Sequence, residues 1–534
     1  MLSVLACRLL PSDRQIDPVS KKLKSIGVVA GLTVVSRVLG LLRDQLSAAV
    51  FGTSALNSAF LTAFRIPNLF RRLLGEGSLT AAFVPTLQQE LTHRGRDSAF
   101  ALVNQVCSWL LLVTALIVAV AMGLSTQSRL ITGQEERWYI AADLSVLLFP
   151  YLVLICLAAV LSATLNVLQR FSEGAFSPVL LNLCMIASLG GAGLHWASTP
   201  MGQMHWLCAG VLLGGLCQLA LPATTLLRQG WRPRFDLRWT PGVREIALLM
   251  APGLWGAATY QINQLVIQGL AMSIDDSAAS LLFYSSRLME LPIGVFAIAI
   301  STVIYPLLSK HAAEGDLTAL GEDYLKGIRL ILLVNIPAAV GLALLSEPIV
   351  RVLFERHHFT AADTAAMGPL LALAVIGLPF FSVVSLSSRG FYAVKDTASP
   401  VRIATVSFLV NLVLAYSLRG VLGTAGLVLA STVAVIVQSV GLQLLLTRKL
   451  PGMSLSLLRA DIAKLFLAAL AMGLVVAGGW WGLCRGHGLR GDLAALLIVI
   501  PVGVLIYGAT VWLLRVGGLE ELSALFDRLR KKLS

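Results

Sequence analysis

Seven arginines stand inside or at the edges of long apolar stretches of this 534-residue chain: Arg37, Arg43, Arg65, Arg71, Arg72, Arg287 and Arg389. No lysine shares that placement. A guanidinium at the centre of a membrane helix costs about 2.5–3.5 kcal/mol on insertion scales, so such groups persist where they meet a polar cavity or a partner. The guanidinium is also a flat, permanently charged fork that grips phosphate oxygens two at a time. An all-arginine set therefore points to recognition of an anion at membrane depth.

Three motifs hold these arginines. In Ser36-Arg37-Val38-Leu39-Gly40-Leu41-Leu42-Arg43-Asp44, helical spacing puts Arg37 and Asp44 on one face with Arg43 beside them. Two arginines against one aspartate leave positive charge over, which simple pairing or snorkelling to the interface does not explain. The second motif runs from Phe64 to Gly77 and carries Arg65, Asn68, Arg71, Arg72 and Glu76. Pro67, Gly75 and Gly77 predict a bent or broken helix, tolerated at membrane depth only where protein or a watery cavity satisfies the backbone. Arg72 and Glu76 are spaced to pair. Arg71 points about 100° away and is the better ligand candidate, with Arg65, Arg72 and Asn68 secondary; a basic cluster near an interface is the plainer reading. In Ser286-Arg287-Leu288-Met289-Glu290-Leu291-Pro292, Arg287 and Glu290 share a face, and a structural ion pair is the rival to a cavity role. Arg389 reads as one more positive charge at a cytoplasmic helix end.

The elements that must position these groups follow from composition. The chain is 57% hydrophobic and 13% charged, with mean hydropathy +0.82; a soluble chain carries about 25% charged residues. That excludes a soluble enzyme, a disordered protein and a repeat solenoid. Charge-free runs, with a first helix near 26–50, predict an all-α polytopic membrane protein of about fourteen spans. The long run 174–227 must be two spans, broken near Trp196–His205. The net charge of +13 fits cytoplasmic loops rather than nucleic acid: 27 Lys and Arg fall in connections on one side and 7 on the other, which predicts both termini inside.

The predicted organisation is a cytoplasmic tail (1–25), a first lobe of six helices (26–228), a cytoplasmic linker (229–242), a second six-helix lobe (243–447), two further helices (460–515) and a basic amphipathic tail (516–534) suited to anionic lipid. Matched prolines support an internal duplication. Pro178 and Pro400 lie 222 residues apart, and Pro85 and Pro306 lie 221 apart. Six spans per offset would give lobes of the same orientation.

Other features narrow the chemistry. The cysteines show no zinc or disulfide pattern, and no phosphate-binding loop, zinc-protease motif or nucleophile elbow appears, so no enzymatic activity and no metal site are expected. His357-His358 reads as an external loop, and Gly210–Gly215 as a helix-packing surface. Residues 246–274 and 397–460 contain no Asp or Glu.

Taken together, the segments 36–44, 63–83 (AFRIPNLFRRLLGEGSLTAAF) and 287–292 (RLMELP) resemble the MurJ/MviN family, bacterial lipid II flippases of the MOP exporter superfamily, and the likeness extends over about residues 20–515. The resemblance implies two MOP/MATE-like six-helix lobes in a V, alternating access in the bacterial inner membrane, and a C-terminal helix pair whose groove holds an undecaprenyl tail. It implies a central cavity lined by Arg37, Arg43, Asp44, Arg71 and Arg287 that takes the diphosphate of lipid II. Glu76 and Glu290 join Asp44 there in balancing and gating charge. Membrane lipids and cell-division or wall-synthesis proteins are the implied partners; no cofactor is expected, and membrane potential is the expected energy source. Two departures matter. Many relatives have Asp where Ser58 stands here, so that position supplies no negative charge. The missing carboxylates in helices 7, 11 and 12 put the sodium site proposed for some relatives in doubt. A drug or cation antiporter of the multidrug branch, and a non-transporting scaffold for wall synthesis, are the rival readings; the first needs a buried carboxylate site, and the second gives no reason for intramembrane arginines.

Overall fold

Apolar runs punctuated by Pro, Gly, Ser and Thr become helices. The computed structural model describes residues 18–71, 73, 78–127, 135–294, 298–450, 453, 456–484 and 488–517, and among these no strand forms beyond one bridge between Arg356 and Phe359. The first lobe comprises α1 (Pro18–Phe51), α2 (Ala55–Phe70), α3 (Ser78–Gln127), α4 (Glu136–Leu148), α5 (Pro150–Val167), α6 (Ser172–Ile186), α7 (Leu194–Trp196) and α8 (Pro200–Arg228). The second comprises α9 (Pro241–Met272), α10 (Ala278–Pro292), α11 (Ile298–Glu314), α12 (Leu317–Leu344), α13 (Ser346–Phe354), α14 (Ala361–Ala374), α15 (Leu378–Ala393) and α16 (Ala398–Lys449). The C-terminal pair is α17 (Ser456–Gly479), with α18 (Gly488–Ala494) leading into α19 (Ile500–Leu513).

Local chemistry sets many boundaries. Proline opens α5, α8 and α9, where its missing N–H is harmless. Thr360 and Asp363 form a capping box at α14. A straight helix as long as α3 or α16 would run about 75 Å, far more than a hydrocarbon core of about 30 Å. Left-handed glycines divide them: Gly95 (φ 82°) in α3 and Gly423 (φ 55°) in α16. Among the described residues nine helical stretches are long and apolar enough to cross a membrane. Their outer faces are apolar too, with Leu497, Leu505 and Trp512 all strongly exposed. That pattern suits lipid on the outside.

One boundary differs from the sequence expectation. Helix α1 begins at Pro18, so the whole of 18–25 is helical; no proline or glycine between Val19 and Ile26 stops it. The predicted amphipathic segment within 516–534 lies outside the described residues from 518 onward.

Four apolar cores organise the molecule. One is centred on the first lobe and takes in Val243 and Ile246 of α9, one is centred on the second and takes in Leu458 of α17, and one joins α12 to the C-terminal pair. The fourth contains residues of both lobes, from Ala48 and Phe60 to Tyr284 and Phe354, and forms the seam between them. The C-terminal pair is further tied down by Arg329–Asp461 (2.7 Å), Arg351–Asp492 (3.0 Å) and a Tyr507 hydroxyl donating to Leu333 O (2.8 Å). The linker docks on α3: the Trp231 indole donates to Asn104 (2.9 Å) and the Asp236 N–H to Ser108 Oγ (2.9 Å). Hydrogen bonds from Arg238 hold the Asp236 carboxyl well below the usual carboxylate range.

The glycines of α8 are packing surfaces, as their spacing suggests. A Cβ on Gly210 would sit 3.0 Å from the Cys184 carbonyl oxygen and the Met185 Cα on α6, and one on Gly215 would meet the Tyr151 ring at 2.7 Å. Gly210→Leu is expected to lower stability by about 1–3 kcal/mol by prising α6 from α8. Thermal unfolding in detergent measures this, with Gly508→Leu, where nothing lies within 4 Å, as the control.

Candidate functional site

Helix α1 carries Asp44 into the seam between the lobes, where its side chain is 4% exposed. From its own lobe, Arg43 donates through Nη2 (2.6 Å) and Nε (3.0 Å) to Asp44 Oδ1. From the opposite lobe, Arg287 on α10 donates through Nε to Oδ2 at 2.9 Å. Arg287 also reaches Glu290 Oε2 at 3.1 Å, and Arg43 reaches Asn182 Oδ1 at 3.1 Å. A carboxylate that accepts from two guanidinium groups has its lone pairs well used. Arg287 brings Glu290 with it, so the paired groups balance, two cations against two anions, and the excess positive charge expected from helix 1 rests on Arg37.

Small residues make the approach possible. A Cβ on Gly40 would stand 2.6 Å from Arg287 Nη2, so the guanidinium lies directly over the α1 backbone. The Arg37 guanidinium lies in the same way against Gly294, just beyond α10, where a Cβ would collide with it. Arg37, Arg43, Asp44, Arg287 and Glu290 are thereby drawn to one inter-lobe region.

The second motif divides. Arg65 crosses to the other lobe and donates to Gln268 Oε1 (2.5 Å) and Gln264 Oε1 (2.9 Å) on α9. Asn68 donates to Phe64 O one turn back. Regular α2 ends at Phe70, and Arg71 and Leu73 sit in a widened, π-type turn downstream of Pro67, as expected for a broken helix. Arg71 is apart from the Asp44 node. It lines a first-lobe recess of about 260 Å³ with Ser162, Asn166 and Ser177. Arg72 and Glu76 lie outside the described residues. Arg389 donates to Thr302 Oγ1 (3.1 Å) on α11, within its own lobe.

Where α1 gives way to α2, the lobes are sealed by polar contacts. Ser58 and Ser280, both fully buried, meet at 2.8 Å, and Ser58 donates to the Asp276 carbonyl oxygen at 2.5 Å. The Asn57 amide donates to the Tyr284 hydroxyl (2.9 Å), Arg137 pairs with Asp276 (2.9 Å), and Thr53 hydrogen-bonds Asp363. The His358 N–H donates to Ala49 O (3.0 Å), and left-handed Gly52 admits the His358 carbonyl, which any Cβ would strike. Sequence reading missed Asn182, Gln264, Gln268 and this seal. The available signal was amide and hydroxyl groups inside otherwise apolar runs, above all Gln264 and Gln268 one turn apart.

The geometry can now be set beside known proteins. A sequence profile described as Lipid II flippase MurJ matches residues 47–494. The chain belongs to the MurJ family. A probable lipid II flippase MurJ of Rhizobium tropici is 34% identical over 495 residues, covering 90% of this chain and 92% of that protein. The lipid II flippase MurJ of Burkholderia cenocepacia is 31% identical, covering 86% and 91%. Among solved structures, a lipid II flippase MurJ in an inward closed conformation superposes with TM-score 0.76 at 25% identity, covering 90% of this chain and 97% of that one. An inward-facing multidrug resistance MATE transporter of the MOP superfamily gives TM-score 0.64 at 14% identity over 79% and 98%. That second likeness shows the fold alone. This member of the MurJ family is a multi-pass helical membrane protein of MOP-like architecture.

Proposed function

We propose that this chain moves lipid II from the cytoplasmic to the outer leaflet by alternating access. The observation that carries the reading is the Asp44 node: half-buried arginines from both lobes, held by carboxylates at the seam the lobes must part along. The diphosphate diester gathers two negative charges and four non-bridging oxygens in one group, matching Asp44 and Glu290 together, so it can take their place on Arg43 and Arg287 and add Arg37. Taking Arg287 off Asp44 removes the ion pair that ties α10 to α1. Binding of the head group and release of the seam are then one event. Arg71, in its recess, lies on the first-lobe wall of the same entry route.

The basic excess on one side supports a cytoplasmic position for the termini and linker. On that orientation the Ser58–Ser280 seal faces outward, and its closure supports a state shut on that side. The polar head crosses inside protein, because leaving it bare in hydrocarbon would strand unpaired charge. The apolar tail stays beside α17 and α19. Membrane potential favours export of negative charge by about 2.3 kcal/mol per charge per 100 mV.

The test is conditional replacement of the native flippase in a bacterial host, with direct assay of lipid II in the outer leaflet. Arg37→Ala, Arg43→Ala and Arg287→Ala are each expected to insert normally and to lower flipping by about tenfold or more, the scale of a lost charge-assisted hydrogen bond. Wild-type flipping by all three at equal expression would defeat the proposal.

A further inference from the structure

Arg65 and Arg287 stand 222 residues apart, the same spacing as the matched prolines and as the touching pair Ser58 and Ser280. The two arginines also behave alike. Arg287 crosses from α10 to Asp44 on α1, and Arg65 crosses from α2 to Gln264 and Gln268 on α9. The lobes therefore hold each other by two reciprocal clasps, one ending on a carboxylate and the other on two amide oxygens.

The amide clasp is wired to the seal. Gln268, 1% exposed, accepts from Arg65 and donates through Nε2 to Thr62 Oγ1 (3.0 Å). Thr62 donates to the Ser58 backbone oxygen (2.8 Å), and the Ser58 hydroxyl meets Ser280 and the Asp276 carbonyl. A relay of hydrogen bonds, joined covalently through Ser58, thus runs from a guanidinium able to bind phosphate to the Ser58–Ser280 contact.

We infer that Gln264 and Gln268 are positioning residues that hold Arg65 while the seam is shut, and that an anionic head group drawing Arg65 away loosens the seal through Thr62 and Ser58. The inference rests on the alternating-access reading above. An amide acceptor suits this role: it orients the guanidinium but yields to a charged competitor more readily than a carboxylate does.

The experiment reads seam opening directly. Ser280→Cys, in full-length protein in whole cells, is labelled with a membrane-impermeant maleimide, and the rate is compared across variants. Gln264→Glu turns the clasp into an ion pair and is expected to slow labelling about tenfold; Gln268→Met cuts the chain and is expected to speed it similarly. Adding Arg65→Gln is expected to cancel the effect of Gln264→Glu, as a double-mutant cycle requires. Labelling that ignores Gln264 and Gln268, or a Gln264→Glu effect that survives without Arg65, would overturn the clasp alone. No labelling in any variant of a flipping-competent protein would overturn the clasp and the alternating-access reading together.

Discussion

Asp44→Ala is expected to abolish flipping and to destabilise the protein by about 3 kcal/mol. Removing one partner from a buried charge pair typically costs 3–5 kcal/mol, because the remaining charge is left without compensation. Here the carboxylate side chain is 4% exposed and Arg43 13%, so water offers little relief on that side. Arg287 is 31% exposed and keeps Glu290, which places the cost at the lower end of the range. The second change distinguishes repulsion from lost packing. Asp44→Ala with Arg287→Ala should recover part of the lost stability, since the two guanidinium groups no longer face each other across the seam. Thermal unfolding in detergent gives both numbers, and outer-leaflet lipid II gives the activity. An Asp44→Ala protein that melts with the parent would mean that the node is not a clasp.

The architecture was largely legible because lipid leaves few choices. Every backbone group must be satisfied inside the chain, so a long apolar run at this composition becomes a helix, and the break near Trp196–His205 appears as the gap between α7 and α8. The arginine motifs were legible as expensive charge, and Arg43, Asp44 and Arg287 do meet. What periodicity cannot supply is which lobe a side chain crosses to. Arg65 and Arg71, six residues apart, end in different places because the helix changes winding between them. Nor could spacing show that Gly40 and Gly294 exist to let guanidinium groups lie on backbone. The departure at Ser58 has a physical answer within the structure. A serine there pairs with its counterpart Ser280, two small hydroxyls meeting between the lobes where a carboxylate would bring buried charge.

That pairing permits a stringent test of whether the outer seam must open. Ser58→Cys with Ser280→Cys is expected to form a disulfide and to stop flipping outright, with activity returning on reduction. The serine oxygens are 2.8 Å apart, and a disulfide needs its sulfurs at about 2.05 Å, so only a slight approach of the two side chains is required. On the proposed orientation the two positions face the oxidising exterior, so the bond can form in living cells. Cys107, Cys156, Cys184, Cys208 and Cys217 are free, and single-cysteine variants control for the participation of native thiols. Cleavage at a protease site placed in the linker between α8 and α9 reports the bond: a cross-linked chain stays in one piece until reduced. A fully cross-linked protein that still delivers lipid II would show that the lobes need not separate here, whereas failure to cross-link would contradict the closed seam itself. Blocked flipping in the oxidised protein, restored by reductant and absent from either single variant, ties transport to separation of these two serines.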